Sequence, residues 1–156
     1  MLVTEIMSSP PIVMGLDDSL AEVLRIFEQA HIRFIVVEED EQLFGLIDKC
    51  HVLRVISPYV FSHVHTPRDL STLHKRVHEV VIRQPVYLAH TASVEDALMI
   101  MKEENIGCLP VCDHKNKVLG VITRSNIIQH FNYSKAKALP LDQRSKGFFQ
   151  SRILRV

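Results

Sequence analysis

A chain of 156 residues with 47% hydrophobic and 23% charged side chains is long enough to bury one core and too apolar to stay disordered. Its 18 basic and 18 acidic residues cancel, which removes any global attraction to nucleic acid or an anionic membrane and leaves recognition to a local site. No apolar run approaches the roughly 20 residues that span a bilayer, no targeting segment is evident, and three cysteines are too few and odd in number for a disulfide framework, so a soluble cytoplasmic protein is expected.

In chain order, Ile12 to Met14 follow a proline and read as a short first strand. Ser19, with Glu22 three places on, is a helix start, and Leu20, Val23, Leu24 and Phe27 then form an apolar stripe at helical spacing. Phe34 to Val37 and LFGLI at 43–47 are strand-like, with a polar turn between them, and a second amphipathic helix is expected near 49–56. TPRD at 66–69 has the residues of another start: Thr66 as cap, Pro67 at the first position and Asp69 near the positive end of the helix dipole. Leu70, Leu73, Val77 and Val80 continue as one stripe, predicting an ordered linker helix.

The remaining elements repeat the first set. Val86 to Leu88 follow a proline, and Ser93 with Asp96 caps a helix whose stripe is Val94, Ala97, Leu98 and Met101. Cys108 to Cys112 and VLGVI at 118–122 are strands, and a helix follows near 124–131. Aligning Ser19 with Ser93 superposes 19–37 on 93–111, and GLIDKCHV at 45–52 recurs as GVITRSNI at 120–127. Each unit is strand, helix, strand, strand, helix, and is too small to bury enough apolar surface alone. The expectation is an α+β fold of two βαββα repeats packed face to face about a pseudo-twofold axis: repeat 1 over 1–62, a linker helix over 63–76, repeat 2 over 77–132 and a basic C-terminal tail over 133–156. The tail reads as solvated or loosely docked, with a basic binding arm as the alternative.

This pattern resembles the tandem CBS domain pair, named after cystathionine β-synthase. The resemblance rests on the repeat order, on NIGCLPV at 105–111 before a turn and VLGVITRSNI at 118–127 after it, and on EIMSSPPIVM at 5–14 and EVVIRQPVYL at 79–88 opening the copies. It covers nearly everything from Val3 to about Phe131. It implies a stand-alone regulatory module without catalytic chemistry, a homodimer, an adenosine-containing effector (AMP, ADP, ATP, NAD or S-adenosylmethionine) held between the repeats, and a regulated partner protein. No cofactor is required, and neither nucleic acid nor membrane is an expected partner.

The repeated phrase is where a ligand would be held. A hydroxyl at a strand end where a helix begins can meet a phosphate or sugar oxygen beside free backbone N–H groups, and an acceptor one turn later can face a ribose hydroxyl. The family pattern has Thr or Ser, then Asp or Asn three residues on. Thr123 and Asn126 fit it, whereas Asp48 and His51 depart from it, because a carboxylate repels phosphate. The resemblance implies that each cleft joins the loop of one repeat to the first two strands of the other. The preferred cleft would thus combine Thr123, Arg124, Asn126, Val121 and Gly107 with Pro11 and Ile12 as an adenine wall and with Arg33, Phe34 and Val36. Arg33 and Arg124 would pair with phosphate. The secondary cleft would combine Asp48, Lys49 and His51 with Pro85, Val86, Cys108 and Pro110.

Plainer readings stand beside these. Thr123 and Asp48 each suit a helix cap, and Asp48 reads best that way. His74 and His78, four apart on the expected linker helix with His63 and His65 nearby, have zinc-binding spacing but lack a dictated third ligand. No Gly-rich phosphate loop, nucleophile elbow or carboxylate pair supports an enzyme. The competing class is a ligand-free interaction or dimerisation module.

Overall fold

Both serine-capped helices form where the stripe and the cap agree. In the computed structural model, which describes residues 1–138 and side chains as far as Phe131, α1 is Leu20–Gln29 and α4 is Val94–Glu103. Ser93 Oγ accepts from Asp96 N at 3.1 Å while the Asp96 carboxylate accepts from Ser93 N at 2.9 Å, a reciprocal capping box. Ser19 caps α1 alone at 3.3 Å, because Glu22 is turned to Arg25. Each helix stops at a residue in the left-handed region, His31 at φ 51 and Asn105 at φ 52, which turns the chain into a strand.

The strands form two small sheets. In the first, β1 (Val13–Met14) lies parallel to β2 (Phe34–Glu39), which pairs antiparallel with β3 (Gln42–Asp48), and β3 with β4 (Ile82–Arg83). In the second, β5 (Leu88–Ala89) lies parallel to β6 (Cys108–Cys112), which pairs antiparallel with β7 (Val118–Thr123). The continuous apolar run of β6 is explained by burial on both faces. Leu109 and Val111 enter the core under α4, while Cys108 and Cys112 meet Val36 and Leu46 of the other sheet. β2 alternates likewise, with Ile35 and Val37 packed inward on Phe27 of α1 and Val36 facing the other repeat. Phe27 is 1% exposed, and burial on this scale stabilises by about 1.5–3 kcal/mol per large side chain.

The copies exchange their opening arms. Val3, in the 3₁₀ turn Val3–Glu5, is buried in the core of the second repeat, and Val77 and Val80 are buried in the core of the first. The backbone bonds reciprocate: Val3 N donates to Ala92 O and Val94 N to Met1 O, both at 3.0 Å, while Val77 N donates to Asp18 O and Leu20 N to Lys75 O, both at 2.9 Å. The arms then run over the other copy's sheet, β4 against Gly45 and Leu46, and Ser8 against Val121. The boundaries expected at 62/63 and 76/77 therefore do not divide the cores.

The linker corrects the expectation of one helix. Only α3 (Pro67–Ser71) and a 3₁₀ turn (Thr72–His74) are helical, and Lys75 is extended because its carbonyl is taken by Leu20 N. Val77 and Val80 are buried from a separate 3₁₀ turn, Val77–Glu79, so His74 and His78 share no helix. Among the described residues, no group of three or more His, Cys, Asp or Glu could hold a metal ion. α2 (Lys49–Val55) closes the first repeat, and α5 (Arg124–Ala138) runs beyond the expected 131 into the tail, whose residues from 139 lie outside the described ones. No helix among the described residues is long and apolar enough to cross a membrane.

Thr66 and Asp69 cap α3 reciprocally, and Asp69 also accepts from Ser57 Oγ at 2.6 Å. The Ser57 hydroxyl, then Thr66, hold the Asp69 carboxyl at about 2 against an ordinary 3.8. A folded value below the unfolded one means that the contribution is complete above about pH 4 and is lost as pH falls through 2. NMR titration should give Asp69 a midpoint near 2, and a midpoint near 3.8 would show that the cap does not persist in solution.

Candidate functional site

The opposed strand ends leave a cavity of about 880 Å³ between the repeats. Its walls contain both repeated loops, so the two expected clefts open into one space. Pro11, Ile12, Arg33, Phe34, Val36, Gly107, Val121, Thr123, Arg124 and Asn126 all line it. So do Asp48, His51, Pro85, Val86 and Cys108. Two residues of the expected secondary cleft do not. Lys49, first in α2, lines a shallow outer groove with Leu24 and Leu53, and Pro110 is buried in the middle of β6.

At the second repeat's end, Thr123 and Asn126 form a capping box. Asn126 Oδ1 accepts from Thr123 N at 2.9 Å and from Thr123 Oγ1 at 2.6 Å, and Thr123 Oγ1 accepts from Asn126 N at 3.2 Å. The amide oxygen is therefore fully used, and what Asn126 shows the cavity is its Nδ2 donor. Nδ2 donates to Ser8 Oγ at 3.0 Å. Ser8 itself is fixed by a backbone pair, Ser8 N to Val121 O at 2.8 Å and Val121 N to Ser8 O at 3.0 Å. Sequence reasoning passed over Ser8, although a signal existed: aligning EIMSSPP with EVVIRQP sets Ser8 against Ile82, a hydroxyl where the other copy has an aliphatic.

At the first repeat's end, Asp48 caps α2 by accepting from Cys50 N at 3.0 Å. It also holds Arg33, with Nε at 3.2 Å from Oδ1 and Nη2 at 3.5 Å from Oδ2. The register explains this, because Phe34 faces Asp48 across β2 and β3. Arg33, expected as a phosphate partner in the cleft with Thr123, lines the same cavity, and its guanidinium is paired with the carboxylate of its own repeat. The hydrogen bonds and charge of Asp48 raise the Arg33 guanidinium above its ordinary range. Arg124, the second expected phosphate partner, donates from Nη2 to Met101 O at 3.2 Å at the end of α4. Cys108 in the wall is a neutral thiol, pushed up to about 12 by burial and then by the Asp48 charge.

Comparison with known proteins fits this geometry. A protein-family model, the CBS domain, matches residues 3–58 and 77–133. A CBS domain-containing protein of Dictyostelium discoideum is 31% identical over 129 residues, spanning 81% of this chain and 88% of its own. The CBS domain pair of protein MJ0100, solved with methylthioadenosine and S-adenosyl-L-methionine, has a TM-score of 0.71 at 22% identity over 86% of this chain and 98% of that one. CBSX2 in complex with AMP has a TM-score of 0.70 at 22% identity, with the same coverage.

Proposed function

The chain belongs to the CBS domain family, and from that premise we propose that it is a regulatory sensor that takes an adenosine-containing ligand into the cavity between its repeats. The observation that carries this reading is the cavity itself: about 880 Å³, within the usual range for small-molecule sites, walled by both copies and ended by the Ser8, Thr123 and Asn126 cluster. Pro11 and Ile12, with Val36 beside them on the neighbouring strand, supply an apolar wall for a base, and Phe34, Gly107 and Val121 also line the cavity. Asn126 Nδ2 donates to a ribose oxygen, and the free lone pair of Thr123 Oγ1 accepts from a ribose hydroxyl. Two solved CBS pairs of the same fold carry adenosine compounds, which supports the ligand class.

A ligand touching both copies stabilises one inter-repeat arrangement over others by its differential affinity, and a partner protein or the second subunit of a homodimer reads that arrangement. The exchanged arm makes the coupling direct, because Ser8 touches the second repeat's loop while Val13 and Met14, a few residues on, join the first repeat's sheet. In a thermal-shift screen with adenosine, methylthioadenosine, AMP, ADP, ATP, NAD and S-adenosylmethionine, at least one compound at a hundredfold excess over its Kd should raise Tm by about 5–10 °C. No shift from any of them at millimolar concentration would overturn the reading in favour of a ligand-free interaction module.

A further inference from the structure

The repeat allows each wall residue at one end of the cavity to be compared with its counterpart at the other. Gly107 stands where the first copy has Arg33, so the Thr123 end has no guanidinium at the start of its second strand. Arg124 beside it donates from Nη2 to the Met101 carbonyl. The other end has Arg33, but there Asp48 replaces the counterpart Thr123 and engages the guanidinium from both oxygens. Asp48 is the fixed member of that pair: its side chain is 15% exposed against 60% for Arg33, and Cys50 N anchors it. The charged wall residues balance, with Arg33 and Arg124 against Asp48 and Glu104.

An anion entering at the Arg33 end meets a guanidinium already paired with a carboxylate. There it must also settle beside the Asp48 carboxylate, which is held in place by Cys50 N and 15% exposed. We infer that the cavity selects adenosine compounds without a phosphate group, and that Asp48 is the specificity-determining residue, occupying from within the place a ligand's anion would take. A neutral nucleoside meets no such opposition, since its ribose needs only the Asn126 donor and the Thr123 acceptor. This inference rests on the adenosine reading above and narrows it.

Calorimetry on the full chain with methylthioadenosine and with AMP tests both. Wild type should bind methylthioadenosine at least about tenfold more tightly than AMP. Asp48→Asn keeps an oxygen for the Cys50 cap while removing the charge, and should tighten AMP about tenfold while moving methylthioadenosine less than about twofold. Adding Arg33→Ala to Asp48→Asn should take the AMP gain away, since the freed guanidinium is its source. Asp48→Thr, a second capping residue, guards against a folding defect particular to the amide. AMP bound by wild type as tightly as methylthioadenosine, or unchanged in both Asp48 variants, overturns the inference and leaves the adenosine reading standing. Binding of neither compound, nor of any other in the thermal screen, overturns that reading and this inference with it.

Discussion

Gly120→Ala should lower the unfolding free energy by about 2–4 kcal/mol, a large loss for the addition of one methyl group. A Cβ on Gly120 would lie 2.6 Å from Ser8 O and 2.8 Å from Met7 Sδ, closer than real contacts allow. The flexible Met7 side chain can move, but Ser8 O belongs to the backbone pair with Val121, so the whole arm must lift. Lifting it separates Ser8 Oγ from Asn126 and loosens the anchor of Val3, and lost hydrogen bonds then add to the overpacking cost. Gly45→Ala should behave alike, since its Cβ would lie 2.7 Å from Ile82 O where β4 crosses. Gly15→Ala is the control, because its Cβ would meet only Asp18 Oδ2 at an ordinary 3.7 Å. In urea unfolding the first two variants should lose stability while Gly15→Ala stays within about 0.5 kcal/mol of wild type. Losses equal to the control would show that the arms do not cross these strands in solution.

The glycines mark the limit of what the sequence could disclose. Their recurrence in GLIDKCHV and GVITRSNI identified the repeat, but nothing in the phrase says what approaches them. The arms EIM and EVV have the same local pattern, so packing on their own copy or on the other satisfies the same apolar positions. Only long-range contact decides, and Val3 and Val77 went across. The linker stripe misled for the same reason, since Leu73, Val77 and Val80 are indeed turned to apolar surroundings but from two separate turns. Helix starts at Ser19, Thr66 and Ser93 were legible because a cap acts within three residues. The Arg33–Asp48 pair was not legible because the two residues are fifteen apart and meet through strand register. Lys49 shows how one position matters at a helix start: Asp48 faces the cavity, and its neighbour faces the outer groove with α1.

Thr123→Ala combined with Asn126→Ala should weaken adenosine-ligand binding by well over tenfold and also cost about 1–2 kcal/mol of stability. The two effects arise together because the pair is at once a helix cap and the polar end of the cavity. A variant that keeps the cap separates them. In Asn126→Asp one carboxylate oxygen can accept from Thr123 N and Oγ1, as Oδ1 does now, while the other replaces the Nδ2 donor with a charged acceptor. A ribose hydroxyl bound to a charged group contributes about 1.5–3 kcal/mol against about 0.5–1.5 for a neutral one. Asn126→Asp should therefore tighten binding of a neutral nucleoside about tenfold with stability little changed. Ser8 can serve the new carboxylate by donating its hydroxyl proton, so the arm need not move. Calorimetry should find one preferred site per chain in wild type, because Ile82 and His51 stand where Ser8 and Asn126 do at the other end. Two equal, independent sites would show that the departures at Asp48 and His51 are neutral, and unchanged affinity in both Asn126 variants would move the site away from the second repeat's loop.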